Sequence, residues 1–178
     1  LLEEEARELN IGFVSRMTRG RPWVRMKIAA TLDGRTALAD GRSQWIPGTE
    51  ARKDGHRWRA RACAIATGGG TVKADDPQLT VREVQTPRQP LRVVIDSHVE
   101  TPARAKVLQG EKALVFAAVA GKSLPNAEIV VLPNAAGKVD LKKMLAELAK
   151  RGVNELHVEG GFKLNGSLLR EGCVDEVL

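Results

Sequence analysis

A length of 178 residues, with 43% hydrophobic and 28% charged residues, is typical of one globular domain that can bury a real core. The net charge of +6 predicts attraction to anions, but aromatic residues make up only 3% of the chain, too few for the stacking platforms of a typical RNA-binding surface. Its longest apolar runs are too short for a membrane span, its acidic start is unlike a secretory signal, and its two cysteines lack zinc or disulfide spacing. We therefore expect a cytoplasmic protein that binds neither membrane nor metal.

The first predicted element is a helix in LLEEEARELN, followed by the basic connector SRMTRGRP. The run WVRMKIAAT predicts a strand that ends at the turn Leu32-Asp33-Gly34. Residues 49–62 predict a helix with Thr49 as its N-cap. Its small and apolar residues recur at helical spacing. They predict a buried stripe of Ala51, Gly55, Trp58 and Ala62.

The rest of the chain alternates between apolar runs and helical patterns. CAIAT, LRVVID, ALVFAAV and EIVVL predict buried strands, each ended by turn residues. DLKKMLAELAKRG predicts an amphipathic helix that Asp140 caps and Gly152 ends. NELHVEGG predicts a strand and a glycine turn, FKLNGSLLREG a helix, and DEVL the start of another strand. This alternation indicates an α/β domain with a mostly parallel central sheet flanked by helices.

Polar or glycine-rich segments follow four of the predicted strands. They are Thr31 to Gly34, Gly68 to Asp76, Asp96-Ser97 and Glu159-Gly160-Gly161. Ligands of parallel sheets bind beyond the carboxyl ends of the strands, so we expect these segments to form the site. The last segment joins a strand to a helix N-terminus, which is typical of a cradle for dinucleotide phosphates. A plain tight turn has the same pattern.

The predicted helix over residues 49–62 carries Arg52, His56 and Arg59 on one face, at positions i, i+4 and i+7. This face is either a phosphate clamp, because the arginine fork matches phosphate oxygens, or a solvated basic surface. The three histidines of the chain lack metal-ligand spacing. The sequence also has no nucleophile-elbow or Walker motif, which disfavours hydrolase and nucleoside-triphosphatase chemistry.

The stretch TGGGTVKADDPQLTVR combines three glycines with the adjacent Asp75 and Asp76. The glycines predict that a ligand approaches the main chain closely. The aspartates suit either acid chemistry or a capped turn in which Asp76 precedes Pro77. Their spacing leaves both interpretations open.

Five segments in order resemble the reductase domain of the bacterial bifunctional riboflavin-biosynthesis protein family: MKIAATLDGRTA, SQWI, RARACAIATGGGTVKADDPQLTVR, PLRVVIDS and VEGGFKLNGSLL. The similarity runs from about Arg21 to Leu178. It implies a dihydrofolate-reductase-like α/β fold. It also implies NADPH-dependent reduction of the ribosyl group of 5-amino-6-(5-phosphoribosylamino)uracil to its ribitylamino product, with the hydride delivered to C1′ of the ring-opened imine form.

The resemblance further implies roles for individual residues. The implied substrate contacts are Ser43, Arg59, Leu79, Arg82 and Glu159, with both arginines at the phosphate. The implied NADPH contacts are Ala29, Trp45, Thr71, Asp75, Ser97, Gly161, Phe162, Lys163, Leu164, Asn165, Gly166 and Ser167. Proton handling in catalysis is assigned to Asp75, with Lys27 as the alternative or as a phosphate ligand. Asp76 is then the structural partner of Pro77.

Members of the resembling family carry a zinc-dependent deaminase domain before the reductase domain, and its HxE and PCxxC signatures are missing here. We therefore expect residues 1–20 to be the last helix and linker of such a deaminase domain, and residues 21–178 to be a reductase domain without its final strands. We expect zinc to bind only in the absent deaminase domain. The implied partners are the phosphorylated ribosylaminopyrimidine and a second copy of the chain in a homodimer. Two alternatives stay open: a noncatalytic basic module that binds anions or RNA, and a related dihydrofolate-reductase-like enzyme with another substrate.

Overall fold

The computed structural model describes residues 2–36, 38 and 48–178. Its α-helices are α1 (Glu3–Leu9), α2 (Ile11–Arg19), α3 (Thr49–Arg61), α4 (Gly69–Asp75), α5 (Leu141–Lys150) and α6 (Phe162–Arg170). Its strands are β1 (Trp23–Met26), β2 (Ala64–Gly68), β3 (Leu91–Ile95), β4 (Ala113–Ala117), β5 (Ala127–Val131), β6 (Glu155–Val158) and β7 (Glu176–Val177). A 3-10 helix covers Lys106–Leu108. Within these described ranges, no helix has both the length and the apolar character that crossing a membrane requires.

The seven strands of the described residues form one sheet in the order β5-β4-β3-β2-β6-β1-β7. Every neighbouring pair among them is parallel. The register pairs Trp23 of β1 with Glu155 of β6, and Ala64 of β2 with Leu156 of β6. Parallel strands require crossover connections, and most crossovers here contain a helix. The predicted mostly parallel sheet with flanking helices is confirmed.

Side chains of each strand alternate between the two faces of the sheet and enter two apolar clusters. The larger cluster contains Ala64 and Ala66 of β2 together with the buried Leu145 and Leu148 of α5. The smaller cluster contains Ile65 of the same strand, packed with residues from α4 and the 3-10 helix. Apolar residues at consecutive positions of one strand are therefore buried on both faces, as is usual in a parallel sheet covered by helices.

The helix α5 matches its prediction. Asp140 is its N-cap and accepts a hydrogen bond from Lys143 N at 3.0 Å, while Gly152 follows its end with a φ of +83°. The expected N-cap at Thr49 is wrong by one residue, because α3 already includes Thr49 and its N-cap is Gly48. The predicted strand WVRMKIAAT is also too long, since β1 ends at Met26.

The predicted connector SRMTRGRP is wrong in its first part, because α2 continues to Arg19. Contacts with the loop before β6 support this helix. Arg16 Nε donates to Asn154 Oδ1 at 2.6 Å, and a Cβ on Gly12 would lie 2.8 Å from Asn154 O. Ser15 Oγ donates to the main-chain oxygen of Arg21 at 2.7 Å and fixes the turn into β1. Tertiary packing therefore extends the helix beyond the part that its sequence pattern predicts.

The buried face of α3 differs from the predicted stripe. Of the predicted stripe, Ala62 is buried and Gly55 and Trp58 are half-buried, but Ala51 is exposed and His56, outside the stripe, is buried. The helix lies over charged residues of the sheet: the Arg25 guanidinium is 4.9 Å from the centre of the Trp58 ring, and Arg61 Nε is 2.9 Å from Glu155 Oε2. Because this part of the sheet is polar, the helix turns part of its basic face toward it as well.

Candidate active site

The carboxyl ends of β3, β2, β6 and β1 lie side by side in the sheet. The segments that follow these strands are Asp96-Ser97, Gly68 to Asp76, Glu159 to Gly161, and the chain from Lys27 onward. The prediction that polar strand-end segments share one edge of the sheet is confirmed for three of the four segments, those after β3, β2 and β6. The turn at Thr31 to Gly34, farther along the chain, is exposed and closed by a hydrogen bond of 2.8 Å between its ends.

Two glycines after β6 allow α6 to begin against α4. A Cβ on Gly160 would lie 2.6 Å from Asn165 Oδ1, and a Cβ on Gly161 would lie 3.2 Å from Thr71 Oγ1. Among the described residues no side chain caps the N-terminus of α6, and its first turn is exposed. The first N–H groups of this helix are therefore available to a ligand. Main-chain donors at a helix N-terminus suit phosphate oxygens.

The other predicted cofactor residues of α6 differ in their accessibility. Phe162 is 75% exposed and Lys163 is also exposed, with its Nζ 5.9 Å from the centre of the Phe162 ring. Asn165 is buried, and Ser167 Oγ donates to the Lys163 carbonyl at 3.0 Å. The half-buried residues of this segment are Leu164, Gly166 and Ser167. The groups that a ligand can reach are thus concentrated in the first turn.

Asp96 shapes the loop that follows β3. Its Oδ2 accepts three hydrogen bonds of 2.7 Å from the main chain and a hydroxyl of that loop. A Cβ on Gly69 would lie 2.9 Å from Asp96 Cγ, so glycine allows α4 to begin directly against the loop. Ser97 is half-buried, and its Oγ accepts a hydrogen bond from Val139 N at 3.2 Å. The Ser97 hydroxyl can still donate its own hydrogen to a ligand.

Glu159, directly after β6, is held by an arginine of α3. Arg59 Nε donates to Glu159 Oε1 at 2.5 Å and Arg59 Nη2 donates to Glu159 Oε2 at 2.7 Å. The third contact of the guanidinium is Nη1 to Thr80 O, at 3.0 Å. Thr67 Oγ1 also donates to the main-chain oxygen of Glu159 at 2.7 Å. The two paired side chains are only 15% and 19% exposed.

Burial by itself raises the pKa of Glu159, but the hydrogen bonds and charge of Arg59 outweigh this effect and hold the pKa well below its ordinary value. The site therefore presents an ionised carboxylate next to the glycines of the cradle. A carboxylate of this kind accepts hydrogen bonds from hydroxyl or amino groups of a ligand.

A second contact of α3 reaches the loop before β3. Arg82 N donates to His56 Nδ1 at 3.1 Å, which requires an unprotonated Nδ1. Burial, followed by the charges of Arg59 and Arg82, lowers the pKa of His56. The Arg82 guanidinium is exposed and donates to Thr80 Oγ1 at 3.1 Å. Of the two predicted phosphate-binding arginines, Arg82 is the one whose charge faces solvent.

Asp75 and Asp76 have different surroundings. Asp76 ends α4 in the left-handed conformation, with φ of +43°, and its Oδ1 accepts a hydrogen bond from Lys106 N at 2.8 Å. This main-chain bond lowers the pKa of Asp76. Asp76 thus closes the turn before Pro77, as the capped-turn interpretation requires. Asp75 is exposed and lies one helical turn after Thr71, on the same face of α4.

The remaining predicted residues fall into three groups. Lys27 and Ala29 are half-buried after β1, where Lys27 N donates to Val158 O at 2.9 Å. Leu79 is 2% exposed, has a φ of +54° and directs its side chain into the smaller apolar cluster, away from any ligand. Ser43 and Trp45 lie outside the described residues.

The sequence analysis missed three groups that support the site. Thr67 donates to the main-chain oxygen of Glu159, and its hydroxyl in an otherwise apolar strand is the sequence feature that indicates such a contact. Thr80 contributes a main-chain carbonyl, which no side-chain pattern reveals. His157 is 1% exposed on the same face of β6 as Glu159, and strand alternation places residues 157 and 159 on one face.

Comparisons with known proteins agree with this geometry. A family model described as the RibD C-terminal domain matches residues 22–178. The chain belongs to this family. The riboflavin biosynthesis protein RibD of Escherichia coli (strain K12) is 39% identical over 193 residues, which cover 100% of this chain and 53% of that relative. The predicted reductase-domain family is confirmed.

Solved structures of RibD proteins extend the comparison to the fold. Acinetobacter baumannii RibD, form 1, has a TM-score of 0.86 at 35% identity, over 98% of this chain and 50% of that one. A Thermotoga maritima diaminohydroxyphosphoribosylaminopyrimidine deaminase/5-amino-6-(5-phosphoribosylamino)uracil reductase has a TM-score of 0.88 at 31% identity, over 99% of this chain and 49% of that one. The chain therefore spans about half the length of these relatives. The predicted dihydrofolate-reductase-like fold is confirmed.

Proposed function

We propose that this RibD C-terminal-domain chain uses NADPH to reduce the ribosyl group of 5-amino-6-(5-phosphoribosylamino)uracil. The proposal depends on one observation: the ionised Glu159 is followed directly by the Gly160-Gly161 cradle at the end of β6. Hydride transfer requires two ligands in contact, and this succession provides an anchor for each of them on neighbouring residues. The name of the Thermotoga maritima relative supports the choice of substrate.

The residues around α6 fit a nicotinamide dinucleotide. Gly161 leaves space beside Thr71, and the uncapped first turn of α6 supplies main-chain donors for phosphate oxygens. Lys163, exposed in the same turn, adds a positive charge that favours the additional phosphate of NADPH over NADH. When bound, the dinucleotide supplies the hydride that reduces C1′.

Substrate recognition is divided between Glu159 and Arg82. The Glu159 carboxylate accepts hydrogen bonds from ribosyl hydroxyls or from amino groups of the pyrimidine. Arg59 already donates to Glu159 and to Thr80, so its main task is to hold that carboxylate in place. Arg82 has an exposed guanidinium and binds the substrate phosphate.

Proton transfer is assigned to Asp75 or Lys27. Reduction of an imine requires a proton on nitrogen, which makes C1′ more electrophilic. Asp75 lies on the same face of α4 as Thr71, another predicted cofactor contact, and Lys27 lies after β1 at the opposite side of the β6 segment. Asp75→Asn and Lys27→Gln separate the two, because loss of the true donor lowers kcat at saturating NADPH, whereas loss of a cofactor contact alone raises KM for NADPH.

An RNA-binding module is the weaker alternative. The basic face of α3 was the feature that favoured it, yet His56 is buried and Arg59 is paired with Glu159. A nucleic-acid surface requires exposed cations that can release counterions from phosphates. The arrangement of α3 therefore favours an internal site over an external nucleic-acid surface.

The test uses the purified chain with NADPH and NADH, followed by tryptophan fluorescence, and then turnover of the phosphoribosylaminouracil followed by loss of NADPH absorbance. We expect binding that favours NADPH and turnover that depends on both ligands. Arg82→Gln raises KM for the phosphorylated substrate at least tenfold, on the order expected for a lost charge-assisted contact, and leaves KM for NADPH unchanged. NADPH binding without turnover of this substrate would contradict the substrate assignment, and binding of RNA without NADPH would contradict the enzyme itself.

A further inference from the structure

His157 is a buried polar residue that the proposed chemistry does not use. It lies in β6, where its register partners are Arg25 of β1 and Ile65 of β2. Its exposure is 1%, and within the described residues neither ring nitrogen has a hydrogen bond of good geometry. An imidazole without hydrogen bonds is costly to bury, so an apolar residue would be expected at this position unless the ring had a partner.

Among the described residues, the carboxylate that lies within ion-pair distance of His157 is that of Glu159. His157 Nε2 lies 3.3 Å from Glu159 Oε1, which also accepts the hydrogen bond from Arg59 Nε. Arg59 approaches the carboxylate from α3, while His157 lies two residues before it on the same strand face. The carboxylate thus has a guanidinium from the helix and an imidazole from the sheet as its two possible donors. The two atoms are already within hydrogen-bond reach, so a small rotation that aligns the N–H with Oε1 completes the bond.

We propose that His157 is a positioning residue, in the tautomer with hydrogen on Nε2, that donates to Glu159 Oε1 and fixes the orientation in which Glu159 meets the substrate. The role in substrate binding rests on the proposed function, whereas the hydrogen bond itself does not. Arg59, which also donates to Thr80 O, restrains the carboxylate from the side of α3. A second donor from the sheet restrains it from another side, and the oxygen lone pairs left free then point in one direction.

The matched variants are His157→Gln and His157→Met. The two replacement side chains have nearly the same shape, but only Gln retains an N–H donor at the distance of Nε2. We expect His157→Met to raise KM for the phosphorylated aminopyrimidine about tenfold, the order expected for a hydrogen bond to a charged group, with KM for NADPH unchanged. His157→Gln should stay within about threefold of the wild type on the same reasoning. Equal substrate KM values for the two variants, or parallel changes in both KM values, would overturn the positioning role.

A measurement that does not depend on activity tests the hydrogen bond. Nitrogen-15 NMR of the histidine side chains distinguishes a proton on Nε2 from one on Nδ1. We expect the His157 ring to carry its proton on Nε2, and its Nε2 resonance to move in Glu159→Gln. A ring protonated on Nδ1, or a resonance insensitive to Glu159→Gln, would overturn the proposal. Failure of the wild type to turn over the substrate would instead contradict the proposed function and leave the NMR result to decide the hydrogen bond.

Discussion

The pair formed by Arg59 and Glu159 should stabilise the fold as well as the site. Glu159→Gln keeps the shape of the side chain but leaves a guanidinium that is only 15% exposed without its counter-charge. Removal of one partner from a buried pair costs about 3–5 kcal/mol, and the residual exposure of both groups places this case at the lower end. We therefore expect the free energy of unfolding at neutral pH to fall by about 3 kcal/mol.

The assay is urea unfolding of the wild type, Glu159→Gln, Arg59→Met and the double variant. The double variant should lose less free energy of unfolding than the two single variants lose together, because neither charge is then left without its partner. The difference, the coupling energy, should be about 2 kcal/mol. The pKa of Glu159 is lower in the folded than in the unfolded chain, so the contribution of the pair is fully present above its ordinary pKa of 4.5 and declines as the pH falls below it. The stability difference between wild type and Glu159→Gln should therefore shrink in acid.

A bidentate pair on the surface provides the control. Arg151 and Glu128 are also joined by two hydrogen bonds, of 2.6 and 3.0 Å, but their side chains are 31% and 43% exposed. Glu128→Gln should cost at most about 1 kcal/mol. A coupling energy for Arg59 and Glu159 as small as that of a surface pair, or a stability difference that does not change between neutral and acidic pH, would refute the reasoning.

Three further predictions concern local geometry. Gly160→Ala forces a Cβ to within 2.6 Å of Asn165 Oδ1, so it should lower the free energy of unfolding by about 1–3 kcal/mol and weaken NADPH binding. Gly55→Ala is the control, because a Cβ there has no atom within 4 Å. It should raise the free energy of unfolding by up to about 1 kcal/mol in the same urea assay. The pKa of His56 is lowered from 6.5 in the folded state, so the wild type should lose stability as the pH falls below 6.5. His56→Gln should lose less stability over the same range, measured by urea unfolding between pH 7 and pH 5. Equal dependence of stability on pH in the two proteins would count against a neutral His56. Asp140→Ala should lower the free energy of unfolding by about 1 kcal/mol and Asp140→Ser by much less, and identical losses would show that the cap is unimportant.

Patterns that repeat along the chain were predictable, and contacts between distant elements were not. The apolar runs of β2 to β5 and the cap at Asp140 follow from local residue types, and parallel topology follows from their alternation with helices. The buried face of α3 was misjudged, because its orientation depends on Arg25 and Glu155, which lie far away in sequence. The pairing of Arg59 was not predictable for the same reason: its helical spacing indicated a phosphate clamp or a basic surface, while its carboxylate partner lies at the end of another strand.

The sheet order has a consequence for the way the protein folds during synthesis. Strand β1 is made well before its neighbours in the sheet, β6 and β7, so Val24 and Met26 remain without strand partners until residues 155–158 leave the ribosome. Pairing of strands so far apart in sequence slows folding, since a long loop must close before any contact rewards it. Helix α2 depends on the same late segment through Arg16 and Asn154. Val24 and Met26 therefore stay without their strand partners until β6 has been made.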